Sequence, residues 1–384
     1  MTASYFDHNA TTPLDPRVRQ AMLPWMGERY GNPSSIHSFG QVAREAVEGA
    51  REQVARLLDA SPAEIVFTAS ATEANNGVIR SCAERRAERT HLVVSQMEHP
   101  SISVVATDLE RSGAEVSWVP PQPDGVVMEA SVLAVVEPKT ALVCLTLANN
   151  IVGTVQPVEA VSTRCRELAV PVLCDAVQAI GKMPVSVRDL GIDFLTLSAH
   201  KFNGPLGAGA LWIRKGIEWE PFLLGGSQER RRRAGTLNVP AIVGMGEAAE
   251  LVLRELDARR TRVAGLRDRL EAGLGMLGDL TVHGQTARRL PNTTHVAFEG
   301  IDAQSLLIRL DLAGYAVSAG SACSSGSVEP SAALLSMGIG KIEALSSLRI
   351  SLGVDNEPAE VDRFLVVLER ELSALRQARV GSPR

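Results

Sequence analysis

The feature of this sequence that most restricts its fold is an alternation of short apolar segments with helix-like stretches between residues 60 and 215. The apolar segments lie at residues 65–68, 91–95, 115–119, 141–147, 171–175, 193–198 and 209–213. Two of them, at 141–147 and 171–175, are apolar on both faces, as strands are when helices cover both sides of a sheet. The alternation predicts an α/β fold with a mostly parallel, seven-stranded sheet sandwiched by helices.

The segments on either side of this region predict further helices and strands. Residues 39–58 carry apolar side chains at three- and four-residue spacing, which predicts an amphipathic helix that packs on the sheet. Beyond Gly246 the pattern predicts, in order, a long helix to about Leu277, strands near Thr281, Thr294 and Val317, and a helix over residues 359–378.

These elements indicate two domains, for which a chain of 384 residues is long enough. We expect a large α/β domain at residues 15–257. A smaller α+β domain is expected to combine residues 1–14 with residues 258–384. Ligands of parallel sheets gather at the carboxyl ends of the strands, so the cleft between the domains is the expected site.

Charge and composition exclude several classes of partner. Lys and Arg number 39 against 44 Asp and Glu, for a net charge of −5, so no overall basic field attracts nucleic acid, and no direct nucleic-acid contact is expected. No apolar run approaches the ~20 residues needed to span a bilayer, and the N-terminus lacks the basic and apolar regions of a signal peptide. We expect a cytoplasmic protein without a membrane contact. The seven histidines are not paired at ligand spacing, and no metal site is expected.

Of the five cysteines, one differs in its surroundings. Cys82, Cys144, Cys165 and Cys174 occupy apolar segments in which a small apolar residue would also serve, so we expect buried free thiols there. Cys323 lies among glycine, serine and alanine residues, which predicts an exposed thiol on a mobile loop.

One group of residues matches the needs of pyridoxal phosphate, which takes a lysine, an acid for its ring nitrogen, a stacking ring and an anion site. Lys201 follows a predicted strand, and Asp175 ends the strand before it. Gln178 is expected one helical turn after Asp175, facing the phenolate oxygen. Residues 68–76 lead from a strand into a helix start, which suits phosphate. His99 is suited to stack on the ring and to move protons. Taken singly, each has an ordinary structural explanation, such as a surface charge or a helix cap.

An ordered set of motifs resembles the NifS/IscS-type cysteine desulfurases, which have the aminotransferase-like fold. The resemblance spans nearly the whole chain. It rests on the segments Asp7-His8-Asn9-Ala10-Thr11-Thr12-Pro13, Gly31-Asn32-Pro33-Ser34-Ser35, Ser198-Ala199-His200-Lys201 and Leu348-Arg349-Ile350-Ser351-Leu352-Gly353.

The resemblance implies a role for each site residue. Lys201 would bond to the cofactor, Asp175 would pair with its pyridine nitrogen, and Gln178 and Asn150 would face its phenolate side. The phosphate would be held by Ala71, Thr72, Ser198 and His200, and by Thr236 of the neighbouring subunit. Because Thr236 would come from the neighbouring subunit, the resemblance implies a homodimer in which each site is built from both subunits.

The resemblance also implies the reaction. Arg349, with Asn150, would bind the substrate L-cysteine through its carboxylate, although a structural ion pair is the other explanation of Arg349. Lys201 would remove the α-proton, and His99 would assist. The Cys323 thiolate, on a loop of about residues 318–337, would then take the sulfur as a persulfide and release alanine. The sulfur would pass to an acceptor protein of iron–sulfur cluster assembly, tRNA or cofactor thiolation, or DNA phosphorothioation.

Four positions depart from the family pattern, namely Ser70, Ile151, Leu206 and Ala234. Of these, Ile151 replaces a usual glutamate beside the expected pocket, where it would alter substrate entry or loop docking. Alternative functions are a selenocysteine lyase or transaminase on the same fold. A further alternative is a catalytically idle protein that docks a partner through the arginine run at residues 230–233.

Overall fold

The computed structural model describes residues 3–83, 90–218, 220–319, 323–324 and 327–380. The strands are β1 Ser4–Tyr5, β2 Ile65–Thr68, β3 His91–Ser95, β4 Glu115–Val119, β5 Thr140–Thr146, β6 Val172–Asp175, β7 Phe194–Ser198, β8 Gly209–Ile213, β9 Leu280–Val282, β10 Thr293–Phe298, β11 Tyr315–Ala316, β12 Ser318–Ala319, β13 Cys323–Ser324, β14 Ser327–Val328 and β15 Ser347–Ser351. The α-helices are α1 Pro16–Met22, α2 Ser38–Leu57, α3 Ala71–Ala83, α4 Pro100–Arg111, α5 Glu129–Leu133, α6 Val158–Glu167, α7 Val187–Leu190, α8 Val239–Gly275, α9 Ala303–Leu312, α10 Ala332–Ser336, α11 Lys341–Leu345 and α12 Pro358–Val380.

The central sheet has seven strands in the order β2-β8-β7-β6-β5-β3-β4. All neighbouring pairs from β7 to β4 are parallel, and β8 runs antiparallel to both β7 and β2. β3, β5, β6, β7 and β8 are buried along their whole length, which explains why their sequences are apolar on both faces. The predicted sheet is confirmed, and its strands begin and end within one residue of the predicted positions.

Helices cover both faces of this sheet. On one face α2 packs against α8, and Val47, Val54 and Met245 join the main hydrophobic core. Gly246 lets these two helices approach, because a Cβ there would lie 2.7 Å from the Cβ of Ala50. On the other face α3 and α4 bury Val78 and other apolar side chains against β2 and β3.

A second hydrophobic core lies around the antiparallel sheet β12-β15-β10-β9. It joins the C-terminal half of α8 to α9 and α12, and it includes Phe6 from the start of the chain. The predicted domain boundary at residue 257 falls inside α8, which is continuous from residue 239 to residue 275. The division into two domains stays a prediction.

Two elements differ from the sequence-based expectation. The long helix begins at Val239, where Asn238 caps it, and not near Gly246. β15 was not predicted as a strand, although Leu348 and Ile350 alternate with polar residues. None of the helices in the described part of the chain combines the length and apolar character that crossing a bilayer requires.

Candidate active site

A cavity of about 360 Å³ opens where β3, β5, β6 and β7 end. Parallel strands place their carboxyl ends at one edge of a sheet, so the residues that follow them converge there. The cavity is lined by ten of the twelve predicted site residues, namely Ala71, Thr72, His99, Asn150, Asp175, Gln178, Ser198, His200, Lys201 and Arg349. The structure therefore brings these ten side chains together, while their individual roles stay predictions.

Lys201 reaches the cavity from a short 3₁₀ turn, Ala199–Lys201, directly after β7. Its Nζ donates hydrogen bonds to the carbonyl oxygens of Asn9, at 2.6 Å, and Ala10, at 2.8 Å. Burial, reinforced by the positive charge of Arg349, lowers the pKa of Lys201 to about 8. Roughly a tenth of this amine is therefore uncharged at pH 7, far more than in an ordinary lysine, and the uncharged amine is the nucleophilic form.

Asp175 is the last residue of β6 and is buried. Its Oδ1 accepts a hydrogen bond from the backbone N–H of Val177 at 3.0 Å, and its Oδ2 accepts one from Asn75 Nδ2 at 3.0 Å. These two hydrogen bonds hold the carboxylate in place at the end of β6, where it can face a pyridine nitrogen.

Gln178 lies in a hydrogen-bonded turn after β6, and not on the helix that the sequence led us to expect. Its Nε2 donates to the Asn9 carbonyl at 2.9 Å, and its Oε1 accepts from Lys182 Nζ at 2.7 Å. Lys182 is buried, and burial together with Lys201 and Arg349 lowers its pKa well below the ordinary value. Sequence analysis missed this second lysine, because nothing local distinguishes it from a surface residue.

The start of α3 forms one side of the cavity. Ala71 and Thr72 are in its first turn, where backbone N–H groups and the helix dipole favour a phosphate. His200 lies across the cavity and contacts Thr11 Oγ1 through Nδ1 at 3.0 Å. Burial, with Lys201 and Lys182 nearby, lowers the His200 pKa to about 4, so this ring is neutral near pH 7.

His99 caps the N-terminus of α4. Its Nδ1 accepts a hydrogen bond from the backbone N–H of Ser101 at 3.1 Å and lies 2.9 Å from the Ser101 hydroxyl. Burial is the main cause that lowers the His99 pKa. Sequence analysis missed Ser101 and the fully buried Asn75, although Asn75 falls inside the segment that was predicted to bind phosphate.

Arg349 reaches the cavity from the middle of β15. Its Nη2 pairs with Asp7 Oδ1 at 2.7 Å, and its Nη1 donates to the Asn150 carbonyl at 3.1 Å. Its Nε is buried without a hydrogen-bond partner among the described residues. The guanidinium thus makes a structural ion pair and has further N–H donors, among them Nε–H, for another acceptor.

The two remaining predicted residues do not line this cavity. Thr236 is exposed, in the loop that precedes α8. The backbone of Cys323 is in β13 and pairs with Val328, but the Cys323 side chain lies outside the described residues, as do residues 320–322 and 325–326 of the predicted loop. The other four cysteines are buried free thiols, as predicted.

Of the departures from the family pattern, Ser70 lines the cavity, whereas Ile151 and Leu206 do not. Ile151 is half-buried and packs against the main core, which explains why an apolar side chain suits this site. Leu206 is 72% exposed. Within the described ranges, no cluster of metal-ligating side chains is present.

The donor set fits pyridoxal phosphate. A cavity of about 360 Å³ is within the ~300–1,000 Å³ range of small-molecule sites. It offers an amine of lowered pKa, a carboxylate, an imidazole and a helix start, in one enclosure. These groups match the aldehyde, the ring nitrogen, the ring face and the phosphate of that cofactor.

Comparisons with known proteins match this chain over nearly its whole length. The family model described as Aminotransferase class-V matches residues 4–364. A cysteine desulfurase of Trichormus azollae is 42% identical over 98% of this chain and 94% of its own length. The solved structure of a NifS-like protein has a TM-score of 0.91 at 38% identity and covers 97% of this chain and 100% of its own. A structure described as SspA in complex with cysteine has a TM-score of 0.82 at 33% identity, covering 91% and 98%.

Proposed function

Because this chain belongs to the aminotransferase class-V family and, within it, to the cysteine desulfurases, we propose that it uses pyridoxal phosphate to remove sulfur from L-cysteine. The products are L-alanine and a persulfide on Cys323, whose outer sulfur passes to an acceptor protein. One observation carries this proposal: Lys201, Asp175 and Arg349 line a single cavity at the carboxyl ends of the strands. A bound cofactor supplies an electron-withdrawing ring that makes the α-carbon of the amino acid acidic.

Lys201 provides the amine that bonds to the cofactor and later takes the α-proton. Its pKa of about 8 leaves the amine partly uncharged near neutral pH, so it can act as nucleophile and base. The carbonyl groups of Asn9 and Ala10 hold its Nζ at the cavity edge. Asp175, fixed by two donors, provides the negative charge at the ring nitrogen.

Arg349 provides the carboxylate site for L-cysteine. The guanidinium uses two of its five N–H groups for Asp7 and the Asn150 carbonyl, so it can donate to a substrate carboxylate while it keeps its bond to Asp7. The Asn150 carbonyl, which accepts from Nη1, limits the orientation of the guanidinium. This fixes the substrate with its α-carbon near Lys201.

Cys323 is the proposed nucleophile of the sulfur-transfer step. Its thiolate attacks the sulfur of the substrate, an S–S bond forms, and the C–S bond of the substrate breaks. The electron pair of the broken bond stays on the carbon skeleton, which takes up a proton and leaves as L-alanine. Enzyme thiolate, L-cysteine and one proton thus give enzyme persulfide and L-alanine.

We further propose that the enzyme is a homodimer in which Thr236 completes the phosphate site of the other subunit. Thr236 is exposed and does not line the cavity of its own chain, which supports this arrangement. Tyr30 and Phe39 stack at a centroid distance of 5.2 Å and yet are 69% and 53% exposed, and Ile36 is 87% exposed. Large apolar side chains left open in this way are typical of a subunit interface.

The test of the proposed function is a product analysis. Purified protein with pyridoxal phosphate and L-cysteine should release L-alanine and carry a persulfide on Cys323. The Cys323→Ser variant should lose the persulfide and keep the visible absorbance of the bound cofactor. Cys165→Ala, which changes a buried thiol, is the matched control and should keep both.

Other products would contradict the proposal. A keto acid in place of alanine would indicate a transaminase. Alanine formed only from selenocysteine would indicate a selenocysteine lyase. A colourless protein that does not respond to cysteine would leave the partner-docking alternative. We propose that the acceptor belongs to iron–sulfur cluster assembly, to tRNA or cofactor thiolation, or to DNA phosphorothioation. Incubation of persulfide-loaded protein with a candidate from each system would identify the acceptor.

A further inference from the structure

Asn75 connects the carboxylate of Asp175 to the helix that carries His99. Asn75 is on α3 and its exposure is 0%. Its Nδ2 donates to Asp175 Oδ2 at 3.0 Å and to Ser101 Oγ at 2.9 Å, and its Oδ1 accepts from Thr196 Oγ1 at 2.8 Å. The nitrogen of the amide therefore faces Asp175 Oδ2, which accepts its hydrogen, and the amide oxygen faces the hydroxyl of Thr196. These two contacts fix the orientation of the Asn75 amide.

The orientation of Asn75 in turn fixes the hydroxyl of Ser101. Since Ser101 Oγ accepts a hydrogen from Asn75, its own hydrogen is free to point to another acceptor. His99 Nδ1 lies 2.9 Å from this oxygen and also accepts the backbone N–H of Ser101 at 3.1 Å. Two donors converge on Nδ1, so this nitrogen carries a lone pair and no proton.

We infer that Asn75 and Ser101 are positioning residues that hold His99 as a neutral imidazole with its proton on Nε2. The inference deepens the proposed function, since it assigns the form of His99 in that same site. His99 then offers the cavity an N–H donor and a flat ring. His99 does not serve as a base, because a second proton would have to bind Nδ1, whose lone pair already accepts from the N–H and the hydroxyl of Ser101. The α-proton accordingly goes to Lys201.

The charges around His99 agree with this assignment. Burial is the largest influence and lowers the His99 pKa, Asp175 acts in the opposite direction, and Lys201 lowers it further. Asn75 lies between His99 and Asp175 in the hydrogen-bond chain, so the carboxylate is joined to the ring only through two neutral groups.

The test is ¹⁵N NMR of the full-length protein labelled at histidine, with the His99 signals assigned by their loss in His99→Gln. In the parent protein, Nδ1 should have the shift of an unprotonated nitrogen and Nε2 that of a protonated one. In Ser101→Ala the protonation midpoint of His99 should rise, because a donor to Nδ1 is lost. Asn75→Leu should act in the same direction. Ser103→Ala, two residues further along α4, is the control and should change neither signal.

Kinetics supply a second readout. Ser101→Ala should lower kcat by about 5- to 10-fold, the effect of one hydrogen bond, with KM for L-cysteine nearly unchanged. Two results would overturn the inference even if alanine forms. One is a proton on Nδ1 in the parent protein, and the other is a protonation midpoint of His99 that does not change in Ser101→Ala. Because the NMR experiment needs no substrate, a failure to form alanine would contradict the proposed function and leave the His99 assignment intact.

Discussion

Arg349 Nη2 lies 2.7 Å from Asp7 Oδ1, so the guanidinium proposed to bind substrate already has a carboxylate partner. The two residues are 342 positions apart and join the first segment of the chain to β15. The pair holds the guanidinium in place before substrate arrives, which reduces the ordering cost of binding. Two elements far apart in the sequence thus build one carboxylate site.

Exchange of Arg349 should weaken substrate binding more than it alters folding. We expect Arg349→Gln to raise KM for L-cysteine by roughly 10- to 100-fold, since a charge-assisted hydrogen bond contributes about 1.5–3 kcal/mol. Arg349→Lys should restore only part of this, because an ammonium lacks the planar fork. Asp7→Asn, which keeps the guanidinium, is the control and should leave KM within a few-fold. Steady-state kinetics test this, and an unchanged KM in Arg349→Gln would contradict the assignment.

The pKa of Lys201 predicts how cofactor uptake depends on pH. Only the uncharged amine attacks an aldehyde, so the rate of pyridoxal phosphate incorporation into apoprotein should rise with pH and level off above about 8. Arg349 lowers the Lys201 pKa, so Arg349→Gln should move the midpoint upward. Stopped-flow absorbance measures this rate. A midpoint near the ordinary lysine value of 10.5, or a downward shift of the midpoint in Arg349→Gln, would refute the lowered pKa of Lys201 and its cause.

The loop that carries Thr236 is anchored by a buried ion pair. Glu229 accepts hydrogen bonds from both Arg51 Nη atoms at 2.7 Å and from the Phe67 N–H at 2.8 Å, at a backbone φ of 47°. Glu229→Ala should cost about 3–5 kcal/mol, because it leaves the two buried Nη atoms of Arg51 without their carboxylate. Glu48, which contacts the same arginine and whose side chain is 45% exposed, is the control.

Glu48→Ala should cost only ~0–1 kcal/mol, as exposed pairs do. Denaturant unfolding of the two variants measures the difference, and equal losses would argue against the anchoring role of Glu229. A second readout is retention of the cofactor. If Thr236 holds phosphate, Glu229→Ala should lose pyridoxal phosphate faster on dialysis than Glu48→Ala does.

Glu98 should make the free energy of unfolding depend on pH. Its Oε1 accepts the Thr146 N–H at 2.6 Å, its Oε2 is buried without a partner among the described residues, and burial raises its pKa to about 8. The folded protein therefore keeps this proton between pH 4.5 and about 8, whereas the unfolded chain loses it. Stability from this group is present below pH 4.5 and is lost as pH rises towards 8.

Glu98→Gln removes this ionisation and keeps an oxygen acceptor for Thr146. The free energy of unfolding of the variant, relative to the parent, should therefore increase from pH 5 to pH 8. Urea unfolding at several pH values measures it. A difference that stays constant over this range, or falls, would show that Glu98 ionises normally in the folded protein.

Local sequence patterns predicted the central sheet and part of the cavity, namely Asp175, Gln178, Lys201, His99 and the start of α3, whereas Asn150, Ser198, His200 and Arg349 were predicted from the family resemblance. Asp175 and Lys201 each follow a parallel strand that apolar residues mark clearly, and parallel strands end at the same edge. His99, Asp175 and Lys201 line the cavity for that reason, whereas Arg349 reaches it from β15 in the other sheet.

Contacts between distant segments could not be predicted from sequence. The Asn9 carbonyl accepts from both Lys201 and Gln178, and Asp7 pairs with Arg349, because the first residues of the chain cross the cavity beside β15. Nothing in residues 4–12 encodes that path locally. The bond from Asn75 to Ser101 likewise depends on how α3 and α4 pack.

The central claim is that Lys201 bonds to pyridoxal phosphate, and mass spectrometry after borohydride reduction tests it most directly. The chain offers an internal control, since Lys182 is a buried lysine whose amine contacts Gln178 in the same region. The account predicts that the reduced cofactor is found on the peptide containing Lys201 and that Lys182 is unmodified. Cofactor fixed to Lys182, or no cofactor on either lysine in protein that releases alanine from cysteine, would contradict it.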